Sequence, residues 1–255
     1  MSAWNLFSRR KKHSTEEWNV RTMFGPNLNF ATTEAYKLLR TNLMFSFSNE
    51  GKGHVIGITS AVQEEGKSST AANAAYALAE SGSRVLLLEG DLRRPTLGSK
   101  LGVAKTPGLT NLLVSRDNYK DLIQKSSYAP KLDIIASGDI PPNPSELLTS
   151  NRMANLVEQL RSDYDYIVID LPPVTAVSDA LAVSKFLDGV VMVVRAGLSD
   201  QQMLAEALRQ MEMVGIRVLG FVYRDADSSG KKYGRQYKKK YYKYYNKYYR
   251  DYVKK

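Results

Sequence analysis

Apolar and polar positions along this chain fall into two alternating periods. Runs that are apolar almost throughout have the length of strands: VIGITS at 55–60, RVLLLEG at 84–90, LDIIAS at 132–137, YIVID at 166–170, GVVMVVRA at 189–196 and VLGFVY at 218–223. A strand with no polar face is buried on both sides. Stretches with helical spacing lie between them, at Lys67–Glu80, Ser145–Leu160, Val177–Phe186 and Asp200–Val214. One more helix is predicted ahead of the first strand, in TTEAYKLLRTNLMFSF, with Thr32 or Thr33 as N-cap and Leu38, Leu39 and Leu43 on its apolar positions. Strands alternating with helices predict a doubly wound, mainly parallel α/β sheet, whose ligands sit outside the carboxyl ends of the strands. The pattern divides the chain into an extended arm over 1–29, a domain over 30–230 and a tail over 231–255.

The tail changes the picture drawn from the domain. Of the 16 tyrosines in 255 residues, nine lie in it: Tyr233, Tyr237, Tyr241, Tyr242, Tyr244, Tyr245, Tyr248, Tyr249 and Tyr252. It also holds eleven Lys/Arg against one acid, Asp251, so that 1–230 balances at 25 basic and 25 acidic residues and the tail supplies the whole net charge of +10. With no leucine, no isoleucine and no sustained period it cannot build a core, and it is expected to be disordered. Tyrosine pairs on a cationic arm suit phosphate acceptors, or an adhesive arm for an anionic surface. The absence of cysteine removes disulfides and thiolate sites, and no His cluster points to zinc. No apolar run is long enough to span a bilayer, and MSAWNLFSRRKK lacks the apolar core of a signal peptide. The expectation is a soluble, cytoplasmic protein.

Candidate chemistry gathers at three strand ends. AVQEEGKSS, between the first strand and an Ala-rich helix, satisfies the P-loop pattern with Ala61 at its first position. Such a loop turns backbone N–H groups onto phosphate oxygens, and Gly66 permits the close approach. Lys67 is expected at the β- and γ-phosphates, the Ser68 hydroxyl on Mg2+, and Ser69 beside them at the start of the helix. In YDYIVIDLPP, Asp170 ends an apolar strand where a Walker B carboxylate orients the metal. In VLLLEGDLRRP, Glu89 and Asp91 stand two apart near a strand's carboxyl end, where two carboxylates repel each other without a cation. ATP and Mg2+ are the ligands these segments call for.

Together these segments resemble the bacterial tyrosine kinases of capsule and exopolysaccharide synthesis, in the form whose cytoplasmic kinase is separate from its membrane activator. EAYKLLRTN at 34–42, the P-loop, LLLEGDLRRP at 86–95, GDIPPNPSELL at 138–148, IDLPPVTAVSDA at 169–180 and the tyrosine cluster carry the resemblance. It implies a P-loop NTPase fold with Walker A, A′ and B segments. It implies Mg-ATP on Lys67 and Ser68, metal held with the help of Asp91 and Asp170, and Glu89 in the position of the catalytic base. It also implies autophosphorylation of the tail, assembly into rings, a membrane-embedded activator or polysaccharide co-polymerase that recruits the kinase to the inner face of the plasma membrane, and an opposing tyrosine phosphatase.

Three positions depart from the family pattern. Glu89 replaces an aspartate, and one more methylene moves a carboxylate by roughly 1.3 Å, where about 1 Å of misplacement can cost ~10²-fold in rate. Lys37 replaces an arginine between Glu34 and Arg40, the three ring-contact candidates on one helical face, and cannot copy its bidentate fork. Arg224 stands where related ATPases have an asparagine on adenine. The rival readings are a partition or positioning ATPase of the ParA/MinD kind and a catalytically weak scaffold that uses its basic tail on membranes. The first of these needs a lysine where this chain has Val62. Nucleic acid is not an expected partner. Tyr36, Tyr76, Tyr164, Tyr166 and Tyr223 read as packing residues.

Overall fold

The computed structural model describes residues 24–47, 51–115 and 117–225; residues 1–23 and the nine tail tyrosines lie outside them. The elements in chain order are α1 (Phe30–Ser46), β1 (His54–Ser60), α2 (Lys67–Glu80), β2 (Val85–Glu89), α3 (Leu97–Leu101), α4 (Leu109–Val114), β3 (Gln124–Lys125), β4 (Leu132–Ile135), α5 (Pro144–Thr149), α6 (Asn151–Asp163), β5 (Tyr166–Asp170), α7 (Asp179–Ala182), β6 (Gly189–Arg195), α8 (Gln201–Met213) and β7 (Val218–Arg224). The strands form one sheet in the order β3-β4-β2-β5-β1-β6-β7. Every pairing is parallel except that of the two-residue edge strand β3 with β4.

The five central strands are apolar because helices cover both of their faces. Side chains of alternate residues point to opposite sides, and the core divides accordingly. Val55, Leu86, Leu88, Ile167 and Ile169 belong to one apolar cluster, with α6 and α8 against it. Ile56, Ile58, Leu87 and Val168 belong to the other, with the alanines of α2. Those small side chains let α2 lie close on the sheet: ten of its fourteen residues are buried. Register then brings the site together. Glu89 pairs with Asp170 and Asp170 with Ile58, so β2, β5 and β1 finish side by side.

Four sequence expectations are corrected. α1 starts at Phe30, not at Thr32, because the Asn29 side chain accepts a hydrogen bond from the Thr32 N–H at 2.9 Å and acts as the cap. The segment 24–29 is not simply extended: Phe24 and Gly25 are buried, a 3-10 turn covers Gly25–Asn27, and Phe24 packs edge-on against Tyr76 and Tyr128. The helix expected over Ser145–Leu160 is two, α5 and α6, since Ser150 leaves the helix and caps the second through Met153 N. The segment 177–186 holds only the short α7 and a 3-10 turn, Ser184–Phe186.

Candidate active site

The loop from β1 to α2 turns on Gly66, whose φ is 90°. The left-handed backbone favours glycine, and a Cβ there would lie 1.5 Å from Arg224 Nη1 and push that guanidinium aside. The loop is braced from within and from the neighbouring strands. Glu65 is fully buried, accepts a hydrogen bond from Val62 N at 2.9 Å and takes another from the Ser199 hydroxyl after β6. From the ends of β6 and β7, Arg195 donates to the Glu64 carbonyl at 3.1 Å and Arg224 to the Gly66 carbonyl at 3.1 Å. Glu64 has φ of 64°, a conformation few side chains adopt. A braced turn leading into a helix N-terminus is the arrangement that favours an anion.

Lys67 stands at the centre. Its Nζ lies 2.7 Å from Asp91 Oδ2 and 3.9 Å from Asp170 Oδ1. Burial works against its charge, but Asp170 and Asp91 outweigh that and hold its pKa above the ordinary lysine value. Asp170 pays the opposite cost. Burial pushes it up to about 6, although Lys67 attracts its charge. Both of its oxygens are buried without a hydrogen-bond partner. Asp91 is better served, since its Oδ1 accepts the Arg94 N–H at 3.0 Å.

Lys67 and Asp91 front a cavity of about 480 Å³, lined also by Ser68, Arg93, Arg94 and Thr96 among others, while Asp170 is fully buried and not part of the lining. Thr96 donates its hydroxyl hydrogen to Ser68 Oγ at 3.2 Å. Ser68, Asp91 and the orphaned carboxylate of Asp170 offer hard oxygen donors, which fit Mg2+. Among the described residues no three His, Cys, Asp or Glu could hold a metal unaided.

Glu89, like Asp170, is set back from the cavity. It is fully buried and does not line the cavity. Oε1 accepts the Leu97 N–H at 2.6 Å and Oε2 the Ser137 N–H at 3.1 Å. The carboxylate thereby ties the end of β2 to the start of α3 and to the segment after β4. Each oxygen keeps a further lone pair beyond the amide it accepts.

Ser69 and Arg224 line a second groove, of about 360 Å³, together with Tyr36, Leu39 and Asn73. Of the ring-contact candidates, Glu34 and Lys37 pair at 2.9 Å on α1. Arg40 turns inward, donating to the Ala77 carbonyl at 3.1 Å with Glu80 at 3.6 Å. Val62 packs against the core. Tyr164 is buried, with its hydroxyl on Asp133 at 2.8 Å, whereas Tyr223 is 61% exposed and is not a packing residue.

Sequence reading passed over the group that fixes the A′ loop. Asp179, fully buried, receives both Nε (2.6 Å) and Nη2 (3.1 Å) of Arg93 and the hydroxyl of Ser145. The only signal was the position of VSDA and PSELL within the motif segments; the contacts span 86 and 34 residues.

Residues 53–214 match the AAA domain family. Over 215 residues the chain is 36% identical to the tyrosine-protein kinase YwqD of Bacillus subtilis, covering 84% of this chain and 89% of that one. It is 32% identical over 218 residues to the tyrosine-protein kinase Etk of Escherichia coli, covering 86% of this chain but only 30% of Etk. The crystallised Etk kinase domain superposes with a TM-score of 0.72 at 32% identity, covering 79% of each chain. The septum site-determining protein MinD of Pyrococcus horikoshii, complexed with Mg-ADP, shares the fold at 23% identity and a TM-score of 0.59, covering 69% of this chain and 72% of that one. The P-loop, the paired Walker carboxylates and this extent of identity place the chain in the bacterial tyrosine kinase family.

Proposed function

We propose that this chain is an ATP-dependent protein-tyrosine autokinase whose acceptors are the nine tyrosines of 231–255. The observation that carries the reading is the placement of Lys67 between Asp91 and Asp170 at a braced P-loop. The phenolic oxygen attacks the γ-phosphorus, the bond from that phosphorus to the β,γ-bridging oxygen breaks, ADP leaves, and the phenolic proton passes to a base. A phenol with pKa near 10 needs that help at neutral pH. Lys67 and the loop amides stabilise charge on the transferring group. Asp91 and Asp170 hold Lys67 in place and, with Ser68, are the residues that would hold Mg2+. Bound there, the metal would neutralise phosphate charge as a Lewis acid. Glu89 is the candidate base, through a lone pair that its bonds to Leu97 and Ser137 leave free. Val62 speaks against the partition ATPase, since its side chain is packed on the core.

Around this reaction the reading includes a membrane-embedded activator, a tyrosine phosphatase and a ring of like subunits, with capsular or exopolysaccharide synthesis as the process regulated. No helix among the described residues is long and apolar enough to cross a membrane, so attachment to the inner face of the plasma membrane falls to the activator and the basic tail. Lys67→Met tests the core of the proposal. Loss of one such charge stabiliser costs on the order of 3–4 kcal/mol in the transition state. Phosphotyrosine labelling of the purified protein with ATP and an activator fragment should vanish while the circular dichroism spectrum stays unchanged. Persistent tail labelling would remove this site from the reaction.

A further inference from the structure

Four cationic side chains line the cavity in front of the P-loop: Lys67, Arg93, Arg94 and Lys100. Three of them have partners. Lys67 has Asp91 and Asp170, Arg93 has Asp179, and Arg94 donates to Gln63 Oε1 at 2.9 Å. Lys100 is half-buried, and among the described residues no carboxylate lies within ion-pair distance of it. Its backbone N–H bonds to the Thr96 carbonyl at 3.1 Å, one helical turn back. Residues four apart share a helix face, so Lys100 is presented to the same space as Thr96, whose hydroxyl reaches Ser68.

An ammonium in that position is held at a cost. Burial depresses its pKa below that of a free lysine; Asp170 and Glu89 attract it, while Lys67 and Arg224 repel it. That cost is recovered when an anion enters the cavity. We propose that Lys100 is a second phosphate-binding lysine of the nucleotide site, contacting the phosphate chain from the α3 side. The proposal rests on the nucleotide reading above and adds to it a residue outside every motif. Lys100 shares its load with the metal, so its contribution is largest when Mg2+ is absent.

The test measures equilibrium binding of a fluorescent ribose-labelled ATP to the full chain, in Mg2+ and in EDTA, for Lys100→Met, Lys100→Arg and Lys67→Met. Thermal unfolding is followed with and without ATP. Lys100→Met should raise Kd roughly tenfold or more, about the loss of one hydrogen bond to a charged group, with the larger change in EDTA. Lys100→Arg keeps the charge and should retain most of the affinity. A lysine with a merely structural role would lower the unfolding temperature of the ligand-free protein when removed. Here Lys100→Met should leave it equal or higher and shrink only the rise caused by ATP. Affinity unchanged in Lys100→Met but weakened in Lys67→Met overturns the proposal alone. Affinity unchanged in both variants overturns the nucleotide reading and the proposal with it.

Discussion

Glu89 shows how a single side chain can carry two duties that a substitution separates. Its two carboxylate oxygens accept the amides of Leu97 and Ser137, and the proposed chemistry asks it to receive a proton as well. Glu89→Gln sets an N–H against one of those amides, and a buried donor left unsatisfied costs about 1–3 kcal/mol. The expected outcome is a lower unfolding temperature together with a collapse of single-turnover labelling at saturating ATP. Glu89→Asp, too short to span both amides, should lower the rate as well, because the surrounding backbone is fitted to the longer chain. Gln at 89 as active as Glu would end the base assignment. Lys67, Ser68, Asp91 and Asp170 were legible from spacing because the P-loop and strand-end patterns are local. Lys100 was not legible. It lies on a five-residue helix with no period to read, and its meaning comes only from what surrounds it.

At the scale of elements, α1 offers the clearest consequence. It packs on α2 through Leu39 and Leu43, while Leu38 is 60% and Phe45 87% exposed, with Met44 beside them. Leu38 and Phe45, seven residues apart on one side of α1, are the side chains that the proposed ring would cover beside the Glu34–Lys37 pair. In the proposed ring Arg40 contributes by fixing α1 on α2 and not by reaching a neighbour. Leu38→Glu with Phe45→Glu should convert oligomers to monomers in sedimentation velocity without lowering the unfolding temperature; unchanged association would move the ring contact off this face. The central strands were easy to read because burial on both faces leaves no polar position to blur the run, whereas β7, equally apolar in sequence, lies at the sheet edge with Phe221 and Tyr223 exposed. Helix ends were harder. Ser150 interrupts an apolar pattern that continues on both sides of it, and Asn29 caps α1 from outside the periodic segment. β3, two residues long and on the sheet edge, carries no period.

For the molecule as a whole, the net charge belongs to one end of the sequence, and that end holds the proposed acceptors. Each phosphotyrosine adds about −1.5 to −2, so roughly five to seven of them cancel the tail's surplus and nine reverse its sign. Stoichiometric phosphorylation should therefore weaken binding to anionic liposomes, to which each Lys/Arg near the surface contributes about 1 kcal/mol. Flotation of the protein with such vesicles before and after ATP treatment checks this, and identical partition of both forms would exclude a charge switch.

The clamp that β6 and β7 place on the P-loop reaches further than loop stability. Arg224 holds the Gly66 carbonyl, Arg195 holds that of Glu64, and Arg195 also pairs at 2.6 Å with Asp225, near the end of the domain that precedes the tail. Asp225 and the P-loop backbone proposed to meet the phosphates are thus braced by the neighbouring arginines at the ends of β6 and β7. Thermodynamic reciprocity then applies to them. By whatever factor a bound nucleotide alters the hold on residue 225, a protein or surface gripping the tail in that state alters nucleotide affinity by the same factor.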